Sequence, residues 1–184
     1  MFIILEGLDN VGKTSQTEQI IKNFPDKPFH KLHYSSLPWG KNDSRKHISY
    51  SEMLYRDMFR MMVNLSGSRT NLILDRSHLG EAVYSPLYRN YSGDYVFPIE
   101  KEYSDFLRDS LFLIVLVNDP KTLHDREDGL SQSNNELDIQ KEIDLFQSAF
   151  NKSSIKHKIF INIAGMGIAQ VGKIIKEFID SKSE

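Results

Sequence analysis

The segment that most constrains this chain is Gly7-Leu8-Asp9-Asn10-Val11-Gly12-Lys13-Thr14, which satisfies the pattern G-x-x-x-x-G-K-[ST]. It lies between an apolar run, Phe2–Glu6, and an amphipathic stretch, Lys13–Asn23, closed by Pro25. Glycines near both ends let the backbone wrap so that successive N–H groups point inward. A helix starting at Lys13 adds the positive end of its dipole, which completes a cradle for phosphate groups. Gly7, Asn10, Val11, Gly12, Lys13, Thr14 and Ser15 are the expected nucleotide-binding residues. Lys13 reaches the β- and γ-phosphates of ATP, and the Thr14 hydroxyl faces the Mg²⁺ that a triphosphate brings with it.

The rest of the chain fits an α/β fold around that loop. Apolar runs at Phe2–Glu6, Lys31–Tyr34, Asn71–Asp75, Leu111–Val117 and Lys158–Ile163 read as strands. Most are continuous rather than alternating, as strands covered on both faces require, so the expectation is a three-layer P-loop NTPase fold with a five-stranded parallel sheet flanked by helices. Helical stretches fall at Lys13–Asn23, near Ile48–Leu65, near Ile99–Asp109, at Glu136–Lys152 and near Ile168–Ser181. In the second of these, Met53, Tyr55, Met58, Phe59, Met61 and Met62 form a mainly core-facing stripe. Ser35–Lys46, Ser77–Pro98 and Asp125–Asn135 read as long polar loops, the natural place for substrate walls and a lid.

A chain of 184 residues has room for one domain, spanning 1–184, with a lid at about 125–135. It contains no cysteine, which removes disulfides and thiolate chemistry, and a formal net charge of -2 gives no global reason to bind nucleic acid or membrane. No basic leader precedes the first apolar run and no stretch approaches the ~20 apolar residues of a membrane span, so a cytoplasmic location is expected. Its six histidines are scattered, and a histidine-held metal is not expected.

A second informative segment, Asp75 through Ser85, begins at the carboxyl end of the third expected strand, where open α/β sheets bind ligands. Asp75 is placed to hold a Mg²⁺-bound water or to polarise an acceptor. Arg76 offers a planar pair of donors to an acceptor phosphate. The D-x-x-G and N-K-x-D segments of GTPases are missing where they would be needed, since Asp75-Arg76-Ser77-His78 lacks the glycine.

In these two segments the chain resembles the thymidylate kinase family, within the P-loop nucleoside monophosphate and deoxynucleoside kinases. The family runs from a strand into G-x-D-x-x-G-K-[ST], matched by Gly7, Asp9, Gly12, Lys13 and Thr14, and carries D-R-[YH]-x-x-S-x-x-A-Y, with Asp75, Arg76 and Tyr84 in register. The resemblance implies ATP-dependent phosphoryl transfer to a deoxynucleoside monophosphate, dTMP or a 5-modified relative. In the roles it implies, Lys13, Asp9, Asp75, Arg76 and Arg126 are catalytic, and Asp9, Arg56, Arg76, Glu81 and Tyr84 bind the acceptor. Thr14 and Asp75 attend the metal. Asp9 lies near the acceptor sugar, Tyr84 crowds out a 2′-hydroxyl, and Arg126 closes from the lid over the transferring group. Arg56 is preferred to Arg60 as the arginine aimed at the acceptor base and phosphate. A homodimer through the Met-rich second helix is also implied.

The chain departs from the family at Asn10, in the lid and at Glu81. Asn10 stands where one branch carries arginine. Gln132, Asn134 and Asn135 stand where other lids carry cations. Glu81 stands where an amide often meets the pyrimidine edge, and a carboxylate there suits a base offering a donor, such as a modified pyrimidine. A deoxynucleoside kinase, a kinase acting on a modified nucleotide in nucleic acid, and a non-catalytic nucleotide-binding regulatory module are the competing readings.

Overall fold

The computed structural model describes residues 1–34, 44–126, 131, 133 and 135–182. Five strands, β1 (Phe2–Gly7), β2 (Phe29–His33), β3 (Asn71–Asp75), β4 (Leu111–Val117) and β5 (His157–Asn162), form one parallel sheet in the order β2-β3-β1-β4-β5. β1 and β4 are buried along their whole length, which explains their unbroken apolar sequences. β2 is an edge strand, and its exposed His30, Lys31 and His33 break the apolar pattern where one side of the sheet meets water.

Helices flank the sheet: α1 (Lys13–Asn23), α2 (Ser44–Leu65), α3 (His78–Tyr84), α4 (Val96–Ser104), α5 (Pro120–Asp125), α6 (Glu136–Lys152) and α7 (Ile168–Asp180). α1 packs on α7, α2 on α4, and α3 on α6. The apolar stripe of α2 is core as expected: Tyr55, Met58, Phe59 and Met62 are buried, whereas Met53 is exposed. Among the described residues no helix is long and apolar enough to cross a membrane.

The segment 77–98, expected as a loop, is largely helical. α3 is followed directly by a π-helical turn, Ser85–Arg89, that ends where Asn90 turns left-handed with φ 59° and its N–H returns to the Ser85 carbonyl. Gly80 and Pro86 disguise this region in the sequence. Leu79 and Val83, four residues apart, are its buried anchor, and many of its other side chains face the site. α5 leads from β4 toward the expected lid; Asp119 caps it by accepting the Thr122 N–H at 2.8 Å, with Pro120 at its first turn.

Sheet register places the functional segments side by side. Leu5 of β1 is paired with Asp75 of β3, so the loop leaving β1 and the turn leaving β3 emerge next to each other at the carboxyl edge. At β1 the strand order reverses, which is where crevices open in such sheets.

Candidate active site

The loop from Gly7 to Thr14 has the backbone its glycines allow. At Gly7 φ is 137°, and a Cβ there would stand 2.0 Å from the Leu116 carbonyl oxygen of β4. Asn10 (φ 57°) and Gly12 (φ 83°) are left-handed, and Gly12 caps α1. The Lys13 ammonium lies inside the loop, donating to the carbonyls of Leu8 at 2.5 Å and Gly7 at 3.0 Å. Burial lowers its pKa to about 8, assisted by the neighbouring Arg76 charge and opposed by Asp9, Asp75 and Glu6. Lys13, Arg76 and these three carboxylates therefore belong to one electrostatic neighbourhood. Val11 is buried, whereas Thr14 is exposed and Ser15 half-buried on the first turn of α1.

Asp75 closes β3. Its Oδ1 is buried with no hydrogen-bond partner among the described residues, and its Oδ2 lies 3.3 Å from His33 Nδ1. Arg76 is left-handed, with φ 69°; its N–H donates to the Leu5 carbonyl at 3.0 Å, and its Nη2 donates to Asp9 Oδ1 at 2.6 Å. Burial works against the Arg76 charge, but Asp9 leads the anions that hold its proton more tightly than usual. A bulky side chain in this conformation is a strained choice, and here it aims a guanidinium across two strand ends at the phosphate loop. Arg76→Gly is expected to be more stable than Arg76→Ala by about 1 kcal/mol, because glycine alone adopts this backbone without cost. Denaturant unfolding of the two variants measures the difference, and equal stabilities would remove the strain.

A cleft of about 110 Å³ opens beside these groups. Gly7, Arg76, Ser77, Glu81, Tyr84 and Arg89 line it, together with Tyr34, Tyr50, Ser51, Leu54 and Tyr55 from the end of β2 and from α2. Glu6 lines it too, almost wholly buried, with Oε1 accepting the N–H groups of Ser77 at 2.8 Å and Gly80 at 3.2 Å. That carboxylate ties the start of α3 to the end of β1 and satisfies amides a helix start leaves free. Behind Ser77, His78 is fully buried: Nδ1 is 2.9 Å from Ser77 Oγ and Nε2 is 2.7 Å from Glu100 Oε2. Glu100 also accepts from Ser153 Oγ at 2.7 Å, from Ser154 Oγ at 2.8 Å and from the Ser154 N–H, so α3, α4 and the segment before β5 meet on one carboxylate. The His78 bond and charge and the serine donors outweigh burial and hold Glu100 below the usual carboxylate range.

Several expected site residues meet at this edge: Gly7, Asp9, Lys13, Asp75, Arg76, Glu81 and Tyr84. Tyr84 lines the cleft with its ring against Tyr88 and Phe146, and its hydroxyl is buried without a partner among the described residues. Glu81 requires a correction. Arg89 Nη1 at 2.6 Å takes its Oε2, while the Tyr91 and Tyr95 hydroxyls take its Oε1 at 2.6 and 2.8 Å, so it is engaged within the protein rather than turned to a ligand. Arg56 requires another. It points away from the cleft and pairs with Glu102 at 2.5 Å and Glu52 at 3.4 Å, while Arg60 pairs with Asp57 at 3.2 Å. Both are off the buried face of α2, whose period runs through Ser51, Tyr55, Met58 and Met62. The second cation of the cleft is Arg89, which the sequence reading missed. Its signal was spacing: Glu81, Ser85 and Arg89 recur every four residues.

Arg126 ends α5 as an exposed residue, and its carbonyl accepts from Asn10 Nδ2 at 3.2 Å. Asn10 Nδ2 also donates to Ser131 Oγ at 3.0 Å, so an amide links the phosphate loop to the lid where a family branch carries arginine. Ser133 Oγ and the Tyr88 hydroxyl both donate to Glu142 Oε1 at 2.5 Å. Burial, reinforced by Asp9, outweighs these donors and raises the Glu142 pKa. Gln132 and Asn134, most of the expected lid, and most of the expected loop Ser35–Lys46 lie outside the described residues; Asn135 caps α6 by accepting the Asp138 N–H at 3.0 Å.

The residues present fit a phosphate-bound Mg²⁺. Asp75 has a buried oxygen without a partner among the described residues, and Thr14 is exposed; both offer hard oxygen donors. Among the described residues no group of three or more His, Cys, Asp or Glu gathers as a metal cage, which an ion held mainly by phosphates and water does not need.

No protein-family model matches the chain, and no curated protein does. Its fold matches solved structures. The YorR protein of Bacillus subtilis, solved in complex with phosphorylated GDP, aligns over 98% of this chain and 96% of its own with a TM-score of 0.68 and 17% identity. The thymidylate kinase of Candida albicans aligns over 98% of this chain and 91% of its own, again with a TM-score of 0.68 and 17% identity. The chain thus shares with these two solved structures an α/β fold built on a five-stranded parallel sheet.

Proposed function

We propose that this protein is an ATP- and Mg²⁺-dependent nucleotide kinase that phosphorylates a deoxynucleoside monophosphate, with dTMP or a 5-modified relative the favoured acceptor. The observation that carries the reading is the 2.6 Å bond from Arg76, at the end of β3, to Asp9 inside the phosphate loop, beside the Lys13 ammonium. It supports a donor site and an acceptor site sharing one centre.

In this reading the loop amides and Lys13 hold the β- and γ-phosphates. A phosphate oxygen of the acceptor, clamped by Arg76, attacks the γ-phosphorus; that P–O bond forms as the bond to the bridging oxygen breaks, and ADP leaves. Bound Mg²⁺ would neutralise phosphate charge, with Thr14 and Asp75 as its protein-side partners. Asp9 holds Arg76 and faces the sugar, Tyr84 fills the space of a 2′-hydroxyl, and Arg126 meets charge on the transferring group from the lid. The structural likeness to two nucleotide-binding proteins of this fold supports the class of reaction and leaves the acceptor to be assayed.

Glu6 favours a second reading. A buried carboxylate lining the cleft, with Asp9 and Asp75 nearby, suits a neutral hydroxyl better than a dianionic phosphate, as in a deoxynucleoside kinase whose acceptor hydroxyl gives its proton to Glu6. A coupled ADP-release assay over nucleosides and their monophosphates, natural and 5-modified, separates the two. Turnover of monophosphates alone, with Arg76→Ala raising their KM about tenfold or more, supports the first. Turnover of nucleosides alone replaces it by the second.

A further inference from the structure

Arg76 and Arg89 both line the acceptor cleft, but they are held by different parts of the fold. Arg76 is bonded to Asp9 of the phosphate loop and its charge acts on Lys13, which marks its end of the cleft as the phosphoryl end. Arg89 is carried by the π-helical turn that follows α3 and is bonded to Glu81. The anchor is unusually complete. Glu81, with a side chain 2% exposed, accepts Arg89 Nη1 on one oxygen and the Tyr91 and Tyr95 hydroxyls on the other. Three donors fix a carboxylate, and the carboxylate fixes a guanidinium whose own side chain remains 20% exposed on the cleft wall.

A guanidinium carries five N–H donors in a plane and no acceptor. With Nη1 turned to Glu81, what Arg89 offers the cleft consists of donors alone. Tyr55 of α2 stands close enough to feel the charges of both Glu81 and Arg89, and with Tyr50 and Leu54 it supplies flat and apolar surface of the kind that accommodates a ring.

We propose that Arg89, positioned by Glu81, selects the acceptor's base, and that the accepted base presents lone pairs rather than amino hydrogens to it: an oxo-pyrimidine such as thymine or uracil, or an oxo-purine such as guanine. The proposal rests on the reading of this cleft as the acceptor site and reverses the expected role of Glu81, which acts as a positioning residue for a donor. An amino base in the same place sets donor against donor and leaves buried groups unpaired, which rejects a ligand more strongly than a missing contact does.

The test is equilibrium binding by calorimetry at fixed salt, with phosphoryl transfer read separately. dUMP and dCMP are the decisive pair, because they differ only on the edge in question, and dGMP with dAMP repeats the comparison for purines. The wild-type protein is expected to bind at least one oxo base about tenfold or more tightly than its amino counterpart, and Arg89→Lys to reduce that ratio to about twofold or less. Lysine keeps a cation beside Glu81 while losing the planar pair, so its melting temperature is expected to stay close to wild type. Equal binding of the oxo and amino members in the wild type overturns the proposal without recourse to any variant. A ratio preserved in folded Arg89→Lys overturns it as well. Base-selective binding that depends on Arg89, with no transfer from ATP to any nucleotide or nucleoside, sustains this inference and overturns the kinase reading; transfer with unchanged base selectivity in Arg89→Lys does the reverse.

Discussion

Lys13→Ala is expected to lower ATP-dependent transfer about 10³-fold while the protein remains folded. A preorganised donor aimed at developing charge contributes about 10²–10³ in rate on its own, and Lys13 combines that role with a full positive charge in a loop sheltered from water. Its folding contribution is small because the ammonium is held at a cost: burial lowers its pKa to about 8 from the ordinary 10.5. Between these values the folded chain binds fewer protons at this site than the unfolded chain, so Lys13 makes stability rise with pH across that window. From neutral to alkaline pH the melting temperature of the wild type should therefore rise relative to that of Lys13→Ala. Phosphate oxygens favour the charged form, so nucleotide binding above about pH 8 should take up a proton, detectable as a buffer-dependent enthalpy that Lys13→Ala lacks. Near-normal transfer by a folded Lys13→Ala would remove the residue from the reaction.

Glu100→Ala carries the largest expected effect on stability, about 3–5 kcal/mol, because it strips a fully buried histidine and three further donors of their shared acceptor. At the size of this chain each kcal/mol moves the melting temperature by about 2–4 °C, so a fall of about 6–20 °C is anticipated. The consequence extends to the cleft. Glu100 fixes His78, His78 contacts Ser77, and Ser77 with Glu6 defines the start of α3, which carries Glu81 and Tyr84. Thermal unfolding measured by circular dichroism checks the effect, and a change within a degree or two would show that the buried pair contributes little.

The parts of the fold and site that were legible in the sequence are those encoded locally. The wrap of Gly7–Thr14 depends on residues adjacent in the chain, and the strands of a parallel sheet covered on both faces leave continuous apolar runs, so loop, sheet and the position of Asp75-Arg76 could all be read. Arg56 was misplaced although its periodicity was available: it lies one residue past the buried Tyr55, about 100° around the helix, and four residues from Glu52, which it pairs. Glu81 was located in the right segment but given the wrong partner, because its three donors come from a π-helical turn and the stretch after it, whose geometry has no simple sequence pattern. Likewise the Glu100 hub joins residues 22 and 53 positions apart, and the left-handed backbone at Arg76 is imposed by the strand pairing around it. Long-range pairings of polar groups decide such features, and single-residue preferences are silent about them.

Lys13 and Arg76 are expected to serve one transfer across a shared centre. The most direct measurement follows the label of γ-³²P-ATP mixed with deoxynucleoside monophosphates, Mg²⁺ and the whole protein. Labelled deoxynucleoside diphosphate is expected, abolished in Lys13→Ala and sharply reduced in Arg76→Ala. Label that stays on ATP, or that is released only as inorganic phosphate, would contradict it.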